Sequence, residues 1–542
     1  MARDCETMNQ TSPGTVHRKA AAVSEQHMTI IRPVIACLLL LLGGCATHLE
    51  RGEFKPSYAV RPPTEATVWQ AVDHAVLGKG PDWFVPLNRG PDALRMRLAL
   101  IDSATTSIDA KYFIWHEDHT GSLMLERIIA AADRGVRVRL LIDDVELSEA
   151  TDEWVAADAH PNISIRIYNP FSARSEGALG RFIHNLNDLA RVNHRMHNKG
   201  LVSDNRLAII GGRNVADEYH GFGDAANFRD LDLMVGVEIV PAISSTFDHF
   251  WNSGWAYPAH VVEPEDRHDE TALAVLRANL AARDIVLEPW LELHQAEYHD
   301  WTTELVAFVE TAISGSAEML VDDPYINDPN PPAQVTSRLR ELAGQARKEI
   351  IVVTPYLVPP AGYIDTIWEI EQRDVEIVIL TNSLDTNNHV SVHAGYRHHR
   401  EDLLDAGVDL HEYRLDARDR KEYEASGHRA DSFTVHAKVM IFDRRQVFVG
   451  TFNVDPRSMF INTELGLLID SPELAEEIRQ MVEVDFHPEN AWHVIKDDDG
   501  RVKWVGHDGT LDREPSASSW RRFQAWLLAG QPTGRVEPAH EC

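Results

Sequence analysis

The chain has 542 residues, 44% of them hydrophobic and 25% charged, which predicts more than one globular domain with sizeable cores. Its 84 acidic and 52 basic residues give a formal net charge of −32. This balance argues against a partner held mainly through nucleic-acid phosphates, but it is compatible with a local basic pocket. The four cysteines lie at positions 5, 37, 45 and 542, so the body of the chain, residues 46–541, has neither a disulfide framework nor a cysteine metal site.

Residues 28–45 have the parts of an export signal. Arg32 supplies a positive charge, the run Val34–Leu42 is apolar, and two glycines precede Cys45. The apolar run is too short for a membrane-spanning helix, which needs about 20 residues. The pattern therefore predicts a signal peptide rather than a spanning segment.

The four residues Leu42–Cys45 resemble a bacterial lipoprotein box. The resemblance implies cleavage before Cys45 and acylation of that residue, and Ala46 resembles the signal for sorting to the outer membrane. We therefore expect an exported lipoprotein, tethered through Cys45 to the outer membrane and facing the periplasm. An uncleaved, poorly anchored tail is the alternative. Met28 is a candidate for the natural start, because residues 1–27 are polar and unpatterned.

The body of the chain contains one strand–helix–strand pattern twice. The first copy places strands at 107–115 and 136–144 around a helix at 121–135. The second places strands at 349–358 and 375–383 around a helix at 363–374. Helices between strands are typical of mostly parallel sheets covered on both faces, so we predict an α/β chain built by tandem duplication.

These patterns divide the chain into six segments. The connecting segment between the two copies is acidic, with a helix near 268–283 and a loop at its end. The tail contains SSWRRFQAWLLAG, an amphipathic helix that we expect to pack on the body. The predicted segments are a leader with signal peptide (1–45), a linker (46–90), a first domain (91–258), the connection (259–335), a second domain (336–500) and the tail (501–542).

The motif HNKGLVSD at 197–204 returns as HAKVMIFD at 436–443. Each copy is followed by a tight turn, a second strand (207–210 or 447–449) and Gly-x-x-Asn, so H-x-K-x4-D-x6-G-x-x-N occurs twice. Five specified positions give on the order of 10⁻⁴ accidental matches per chain. Two matches at equivalent places in two repeats therefore indicate a shared function.

The residue types in this motif suit an anionic ligand. The motif His and Lys are two positions apart, so on a strand they share one face, and a Lys there is costly unless it meets an anion. We interpret Asp204 and Asp443 as mainly structural, because an Asp that opens a turn commonly binds nearby backbone. The remaining side chains predict a cationic cup for one tetrahedral phosphate at a pseudo-twofold interface: His197, Lys199, Asn214, His436, Lys438 and Asn453.

From about residue 90 onward, the two motifs resemble those of the phospholipase D superfamily. The resemblance implies two tandem α/β/α sandwich domains, related by a pseudo-twofold axis, with the active site at their interface. It also implies a phosphohistidine intermediate with no metal and no cofactor. By that resemblance His197 is expected to be the nucleophile and His436 the acid for the leaving oxygen, while Lys and Asn stabilise the phosphate charge.

Two aligned segments follow the motifs, RDLDLMV (229–235) and TELGLLI (463–469). By resemblance to the superfamily, we expect Asp230 and Glu464 each to orient the imidazole of its own half, with Asp232 as an alternative in the first half. Surface salt bridges are the other interpretation. The family often has Ser where Gly212 and Thr451 stand, so the first copy lacks a hydroxyl for the phosphate.

Several further segments resemble bacterial cardiolipin synthases, the C-type in particular: YFIWHEDHTGSLMLERIIAAADRGVRVRLLIDD, NHRMHNKG, FRDLDLMV, TPYLVPP, TNSLDTNNHVSVHAGYRHHREDLLDAGVDLHEYR and EPSASSW. The resemblance implies transfer of a phosphatidyl group between phospholipids at a membrane surface, with phosphatidylglycerol and then phosphatidylethanolamine as candidate substrates. A hydrolytic phospholipase D is the alternative function, and a phosphodiesterase or nuclease is disfavoured by the charge.

Two stretches are candidates for lipid contacts. Residues 171–195 interleave apolar residues with Arg, which fits an acyl-facing helix and equally an ordinary packed helix. In HAGYRHHR, the side chains of His393, Tyr396 and Arg397 are candidates for contacts to an acceptor head group, although a solvated helix face is the favoured interpretation.

Overall fold

The structure, a computed structural model, describes residues 55–147, 151–172, 185, 188–262, 268–283, 301–324, 333–360, 362–425, 427–516 and 518–529. The predicted export signal with Cys45, much of the predicted acyl-facing helix and the end of the connecting segment lie outside these residues. Both halves belong to one compact unit, formed by Glu50–Phe171 and Ala190–Cys542.

The first half contributes nine strands. They are β1 (Asp82–Leu87), β2 (Ser107–Tyr112), β3 (Arg137–Asp143), β4 (Ile163–Tyr168), β5 (Gly200–Ser203), β6 (Leu207–Gly211), β7 (Ala226–Arg229), β8 (Asp232–Val237) and β9 (Ala256–Pro258). Eight of them pair in the order β1-β8-β6-β5-β2-β3-β4-β9. The ninth, β7, lies outside this sheet.

The second half repeats the same plan. Its strands are β10 (Ile313–Val321), β11 (Glu349–Val353), β12 (Glu376–Asn382), β13 (Asp409–Tyr413), β14 (Ser432–Val435), β15 (Val439–Phe442), β16 (Gln446–Gly450), β17 (Leu465–Asp470), β18 (Ala491–Lys496), β19 (Val502–Gly506) and β20 (Gly509–Leu511). Without β14 they pair in the order β10-β17-β16-β15-β11-β12-β13-β18-β19-β20. The tandem duplication predicted from the sequence is therefore visible strand by strand.

Helices connect the strands. In the first half they are Thr67–Ala75, Gly90–Ser103, His119–Asp133, Thr151–Asp158, Leu189–Asn193, Asp217–His220, Val240–Trp251 and Ala259–Val262, and Glu270–Ala282 and Thr302–Glu310 follow. In the second half they are Gln334–Gln345, Tyr363–Glu371, Val390–Arg397, Arg400–Asp405, Arg420–Tyr423, Pro456–Phe460, Pro472–Glu483 with the 3-10 turn Val484–Phe486, and Ser519–Ala529. The α/β class is confirmed.

The helix predicted at 121–135 begins two residues earlier, at His119, because Asp118 caps it. The Asp118 carboxylate accepts a hydrogen bond from the backbone N–H of Gly121 at 2.9 Å, which satisfies one of the free donors of the first turn. Gly135, with a φ of 95°, turns the chain away from the helix axis and into β3.

The prediction of mostly parallel sheets is wrong. Within the described part of the large sheet, β2-β3-β4 and β11-β12-β13 pair in parallel and the other neighbouring strands pair antiparallel, while β7 and β14 form a separate parallel pair. One cause is the turn after each motif, which joins β5 to β6 and β15 to β16: Asp204 and Asn205 have φ values of 52° and 51°, and Asp443 and Arg444 have 55° and 56°. Two successive residues with positive φ form the tight turn of a β-hairpin, which can join only antiparallel strands.

The two halves are joined through strand pairing and a common core. Strands β1 and β10 pair antiparallel, with Phe84 opposite Ile313, so both sheets form one 18-stranded sheet. One hydrophobic cluster contains residues from both halves, such as Leu233 and Leu467. No helix among the described residues has the length and apolarity to cross a membrane.

Candidate active site

The two halves meet at two short parallel contacts that lead directly into the motifs. Strands β7 and β14 pair in parallel with Arg229 opposite Val435, so the next residues along, Asp230 and His436, are neighbours. On the other side, Met196 forms a parallel bridge with Thr463, one residue before His197 and Glu464. Each motif His is therefore placed beside a carboxylate of the opposite half.

Both carboxylates hold an imidazole at its Nδ1 atom. Nδ1 of His197 lies 2.9 Å from Oε2 of Glu464, and Nδ1 of His436 lies 2.6 Å from Oδ2 of Asp230. The sequence pairs Asp230 and Glu464 with the His of their own halves, and that pairing is wrong, because the parallel contacts cross the interface. With Nδ1 occupied by a carboxylate, Nε2 is the ring nitrogen left for chemistry.

Gly212 and Thr451 accommodate these carboxylates. A Cβ atom at Gly212 would lie 2.2 Å from Oδ1 of Asp230, so only glycine leaves room for that side chain. At the equivalent place, the Thr451 hydroxyl donates to Oε2 of Glu464 at 2.5 Å. The first copy thus has Gly at this position because Asp230 fills the space, whereas the second has Thr because its hydroxyl binds Glu464.

The motif lysines are buried next to the imidazoles. Nζ of Lys199 donates to the carbonyl oxygen of His197 at 2.6 Å, and Nζ of Lys438 lies 3.0 Å from Nε2 of His436. Burial lowers the pKa of Lys438 to about 8 and lowers that of Lys199 well below its usual value. Burying two ammonium groups side by side costs free energy, and a phosphate bound between them would offset that cost.

The pKa values of the imidazoles show that the two motifs share one site. Burial lowers the pKa of His197 well below its usual value and that of His436 to about 3. The next causes are electrostatic: Lys199 and Lys438 act on both imidazoles, each lysine reaching the His of the opposite half as well as its own. Both imidazoles are therefore neutral in the free protein, and a bound phosphate anion would raise their pKa values.

The two carboxylates differ in charge. Burial raises the pKa of Glu464 to about 7, against the lowering effect of Lys199. Burial also acts to raise the pKa of Asp230, but the hydrogen bond with His436 and the positive charge of Lys438 outweigh it and hold the pKa well below its usual value. Asp230 is thus better suited than Glu464 to stabilise a positively charged imidazolium, and the imidazole that Asp230 contacts is that of His436.

The two motif asparagines have different surroundings. Oδ1 of Asn214 accepts from the backbone N–H of Ile114 at 3.1 Å, and its Nδ2 donates to the Tyr219 hydroxyl at 2.9 Å. Oδ1 of Asn453 is buried without a protein partner among the described residues. Asn214 is locked in place by its neighbours, whereas the Asn453 carbonyl has hydrogen-bonding capacity left for a ligand.

The two motif aspartates lie away from the cup, at the far ends of their strands. The Asp204 carboxylate accepts from the backbone N–H groups of Thr106 and Ser107 at 2.7 and 2.8 Å and from the Trp69 indole at 2.7 Å. Asp443 accepts from the backbone of Arg347 at 2.9 Å. Both aspartates therefore fasten a strand start rather than contact a substrate.

Asp232, the alternative orienting carboxylate, does not contact an imidazole. It lies 2.9 Å from Nη2 of Arg97 and 3.3 Å from Nη1 of Arg213, and all three side chains are buried. The residues proposed for head-group contacts are also occupied elsewhere. His393 and Tyr396 are buried against Glu514 and Glu412, at 2.8 Å each, and only Arg397 is exposed, so neither a head-group contact nor a solvated face describes the first two.

Aromatic side chains that the motifs do not contain form walls around the imidazoles. The Phe113 ring meets that of His197 edge-on at 4.9 Å, Tyr219 meets His436 edge-on at 5.0 Å, and Phe228 stacks on His436 at 5.3 Å. Phe113 directly follows β2, Tyr219 lies in the helix Asp217–His220 and Phe228 lies inside β7, and these positions are the sequence signal that could have found them. These rings limit the access of water and fix the ring planes.

Among the described residues, three groups of His and carboxylate side chains are close enough together to hold a metal ion. They are His116 with Asp118 and Glu218, Asp158 with His260 and His268, and Asp409 with His411 and His493. None of them includes a motif residue.

The chain is similar to proteins of known families. The profile described as cardiolipin synthase, PLD-like domain, matches residues 98–251 and 339–486, more than half of the chain. Cardiolipin synthase C of Escherichia coli (strain K12) is 32% identical over 82% of this chain and 94% of its own length. Cardiolipin synthase 1 of Staphylococcus epidermidis is 24% identical over 71% of this chain and 64% of its own length. The crystal structure of phosphatidylserine synthase from Haemophilus influenzae Rd KW20 has the same fold, with a TM-score of 0.54, 14% identity and coverage of 85% of this chain and 96% of that one.

Proposed function

This chain belongs to the phospholipase D-like cardiolipin synthase family, and we propose on that premise that it is a phosphatidyltransferase acting on phospholipids. One observation carries the proposal: two imidazoles and two ammonium groups from both halves meet in one buried cup, and each imidazole is held by a carboxylate of the opposite half. The cup offers positive charge to a phosphodiester, a nucleophile and an acid, which is what phosphatidyl transfer requires.

In the first half-reaction, Nε2 of His197 attacks the phosphorus of the donor lipid. A P–N bond forms, the P–O bond to the donor head group breaks, and His436 gives its proton to the leaving oxygen. The lysines stabilise the charge on the non-bridging oxygens. Asp230 stabilises the imidazolium that His436 must form once the substrate anion is bound, which supports this division of roles.

In the second half-reaction, the now neutral His436 takes a proton from the hydroxyl of the acceptor lipid. The resulting oxygen attacks phosphorus, a P–O bond forms, the P–N bond to His197 breaks, and the new phosphodiester leaves. With the head-group hydroxyl of phosphatidylglycerol as acceptor, the product is cardiolipin. Phosphatidylglycerol is the first candidate donor, and phosphatidylethanolamine the second. Water in the same position would give phosphatidic acid, the product of the alternative hydrolytic function.

Product analysis tests the proposal. Purified protein is incubated with labelled phosphatidylglycerol, with and without phosphatidylethanolamine, and the lipids are resolved by chromatography. We expect labelled cardiolipin from the intact protein and none from the His197→Asn variant. Labelled phosphatidic acid as the sole product would establish the hydrolase instead.

We also propose that Cys45 is acylated and that the lipid chains tether the protein to the outer membrane on its periplasmic side. The motif Leu42–Cys45 and a lipid substrate support this location. In membranes of cells that express the Cys45→Ser variant, the amount of membrane-bound protein should fall and the unprocessed signal should persist, as seen by fractionation and mass spectrometry. Processing at residue 45 in that variant, or unchanged detergent extraction, would contradict the tether.

A further inference from the structure

The C-terminal helix Ser519–Ala529 does not bury its large apolar side chains against the body, as an ordinary packed helix does. Its contact with the body, at the helix Val390–Arg397, runs through the buried Ala525 and through Arg521, whose guanidinium donates to the Asn387 carbonyl. A helix that only completes a core turns its large apolar side chains inward. Here the small and basic residues face the body instead.

The large apolar side chains of this helix lie on its outer side. Trp520 and Trp526 are each 63% exposed, Leu527 is 51% and Phe523 is 46% exposed. The rings of Trp520, Phe523 and Trp526 stack on each other in sequence, at 5.5 and 6.0 Å between centroids. A cluster of four large, exposed apolar side chains on a globular protein marks a binding surface. Trp and Phe are typical of the zone where a bilayer meets water.

A cavity beside the patch presents arginines that lack a carboxylate partner. This cavity of about 560 Å³ opens next to Trp526 and is lined by five arginines against three carboxylates. Arg513 and Arg522 have no carboxylate partner within 4 Å among the described residues, and Arg397 reaches one only at 3.9 Å. Arg400 and Arg501 are paired with Glu412 and Asp499, so Arg513 and Arg522 are the cations that remain for an anionic ligand such as a lipid phosphate.

A packed route connects this surface to the active site. The helix Val390–Arg397, which carries the C-terminal helix, lies against Val358 at its Gly395. The backbone N–H of Val358 donates to the carbonyl of Val454 at 2.8 Å, and Val454 follows the motif Asn453. Both surfaces therefore belong to the same packed part of the second half.

We propose that the C-terminal helix Ser519–Ala529 and the arginine-lined cavity beside it form a docking surface for a bilayer that contains anionic phospholipid. The aromatic side chains insert into the head-group zone, and the arginines of the cavity bind lipid phosphates. Because the patch is part of the folded body, docking sets the orientation of the active site towards the lipid, which a flexible tether at Cys45 cannot do. The role of this surface in orienting the active site rests on the proposed function, whereas its binding to an anionic bilayer does not.

Vesicle binding tests the surface directly. The full chain carrying Cys45→Ser is mixed with phosphatidylcholine vesicles, with and without phosphatidylglycerol, and the bound fraction is measured by sedimentation. The test variant is Trp520→Ala/Phe523→Ala/Trp526→Ala. Its matched control is Leu77→Ala/Trp368→Ala, which removes apolar side chains that are 80% and 39% exposed, one in the turn after the helix Thr67–Ala75 and one on the helix Tyr363–Glu371.

We expect the test variant to bind anionic vesicles at least about tenfold more weakly than the parent, and the control to bind like the parent. Arg513→Glu should remove the preference for phosphatidylglycerol. Transfer on vesicles should fall with binding in the test variant, whereas turnover of a soluble short-chain phospholipid should stay within about twofold of the parent. A parent that binds vesicles in this way but transfers nothing would refute the proposed function and still support the docking surface.

Three results would overturn the docking surface. The first is equal binding of the parent and the test variant to anionic vesicles. The second is a parent that forms a dimer in vesicle-free solution and a test variant that is monomeric, which would assign the patch to a second copy of the chain. The third is an equal loss of turnover on vesicles and on the short-chain substrate by a test variant with unchanged thermal unfolding.

Discussion

The crossed arrangement predicts that Asp230 acts on catalysis through His436, although the two residues belong to different halves. In the Asp230→Asn variant, an amide replaces the carboxylate that lies 2.6 Å from Nδ1 of His436, and both side chains are buried. A hydrogen bond to a charged group contributes about 1.5–3 kcal/mol, and the short, buried bond here belongs at the upper end. A loss of about 3 kcal/mol corresponds to a rate roughly 150-fold lower, at 1.36 kcal/mol per factor of ten.

The loss should depend on the leaving group. Because His436 supplies the proton, Asp230→Asn should slow transfer from phosphatidylglycerol by roughly 150-fold but slow release of p-nitrophenol from a phosphatidyl-p-nitrophenol analogue by less than about tenfold. Glu464→Gln weakens the support of the nucleophile His197, so it should slow both reactions to a similar extent. The rate of the first turnover with each substrate, followed by rapid quench before the second half-reaction, measures the difference.

Asp232→Asn is the control, since Asp232 is a buried carboxylate two residues from Asp230 that touches only arginines. Its effect should be the same for both leaving groups. The opposite pattern, in which Glu464→Gln spares p-nitrophenol release and Asp230→Asn abolishes it, would refute the reasoning. It would show either that the roles of the imidazoles are exchanged or that each carboxylate serves its own half.

Three further predictions follow from the same contacts. Asp204→Asn should lower the free energy of unfolding by about 3 kcal/mol at neutral pH, since it weakens several buried hydrogen bonds at once. Burial acts to raise the pKa of Asp204, but these hydrogen bonds outweigh it and hold the folded pKa below the unfolded value. The stability difference should therefore be full above the unfolded pKa and vanish as the pH falls through the folded pKa, in urea titrations at a series of pH values. Similar stability of parent and variant at neutral pH would contradict this. Lys438→Met should raise the pKa of the His436 imidazole, followed by NMR titration, because burial and then Lys438 lower it; an unchanged pKa would contradict the shared cup. A purified fragment that ends near residue 260 should have no transfer activity, since it lacks both Glu464 and His436; measurable activity in it would refute a site built from both halves.

The sequence predicts the local chemistry of this chain well. The repeated motif identifies His197, Lys199, His436 and Lys438, and the structure brings all four together. The turn chemistry of Asp204 is also readable from the sequence, because an Asp at a tight turn binds nearby backbone whatever the rest of the fold does. These features depend on residues that are close along the chain.

The features that the sequence does not predict depend on contacts between distant segments. The crossing of the carboxylates follows from the pairing of β7 with β14, two four-residue strands with no periodicity that could reveal their partner. The space that Gly212 leaves exists only for the Asp230 side chain. Likewise, hydrophobic periodicity predicts a helix near the C-terminus, but which of its faces meets the body is decided by Asn387 and its neighbours.

The central claim is that a covalent phosphatidyl-histidine forms in one site built by both halves. Its most direct test is to quench the His436→Asn variant under alkaline denaturing conditions during turnover of the p-nitrophenyl analogue and to locate the adduct by mass spectrometry. We predict a phosphatidyl adduct on the peptide that contains His197, and none in the His197→Asn variant. An adduct on His436 in the His197→Asn variant, or transfer without an adduct on either residue, would contradict the account.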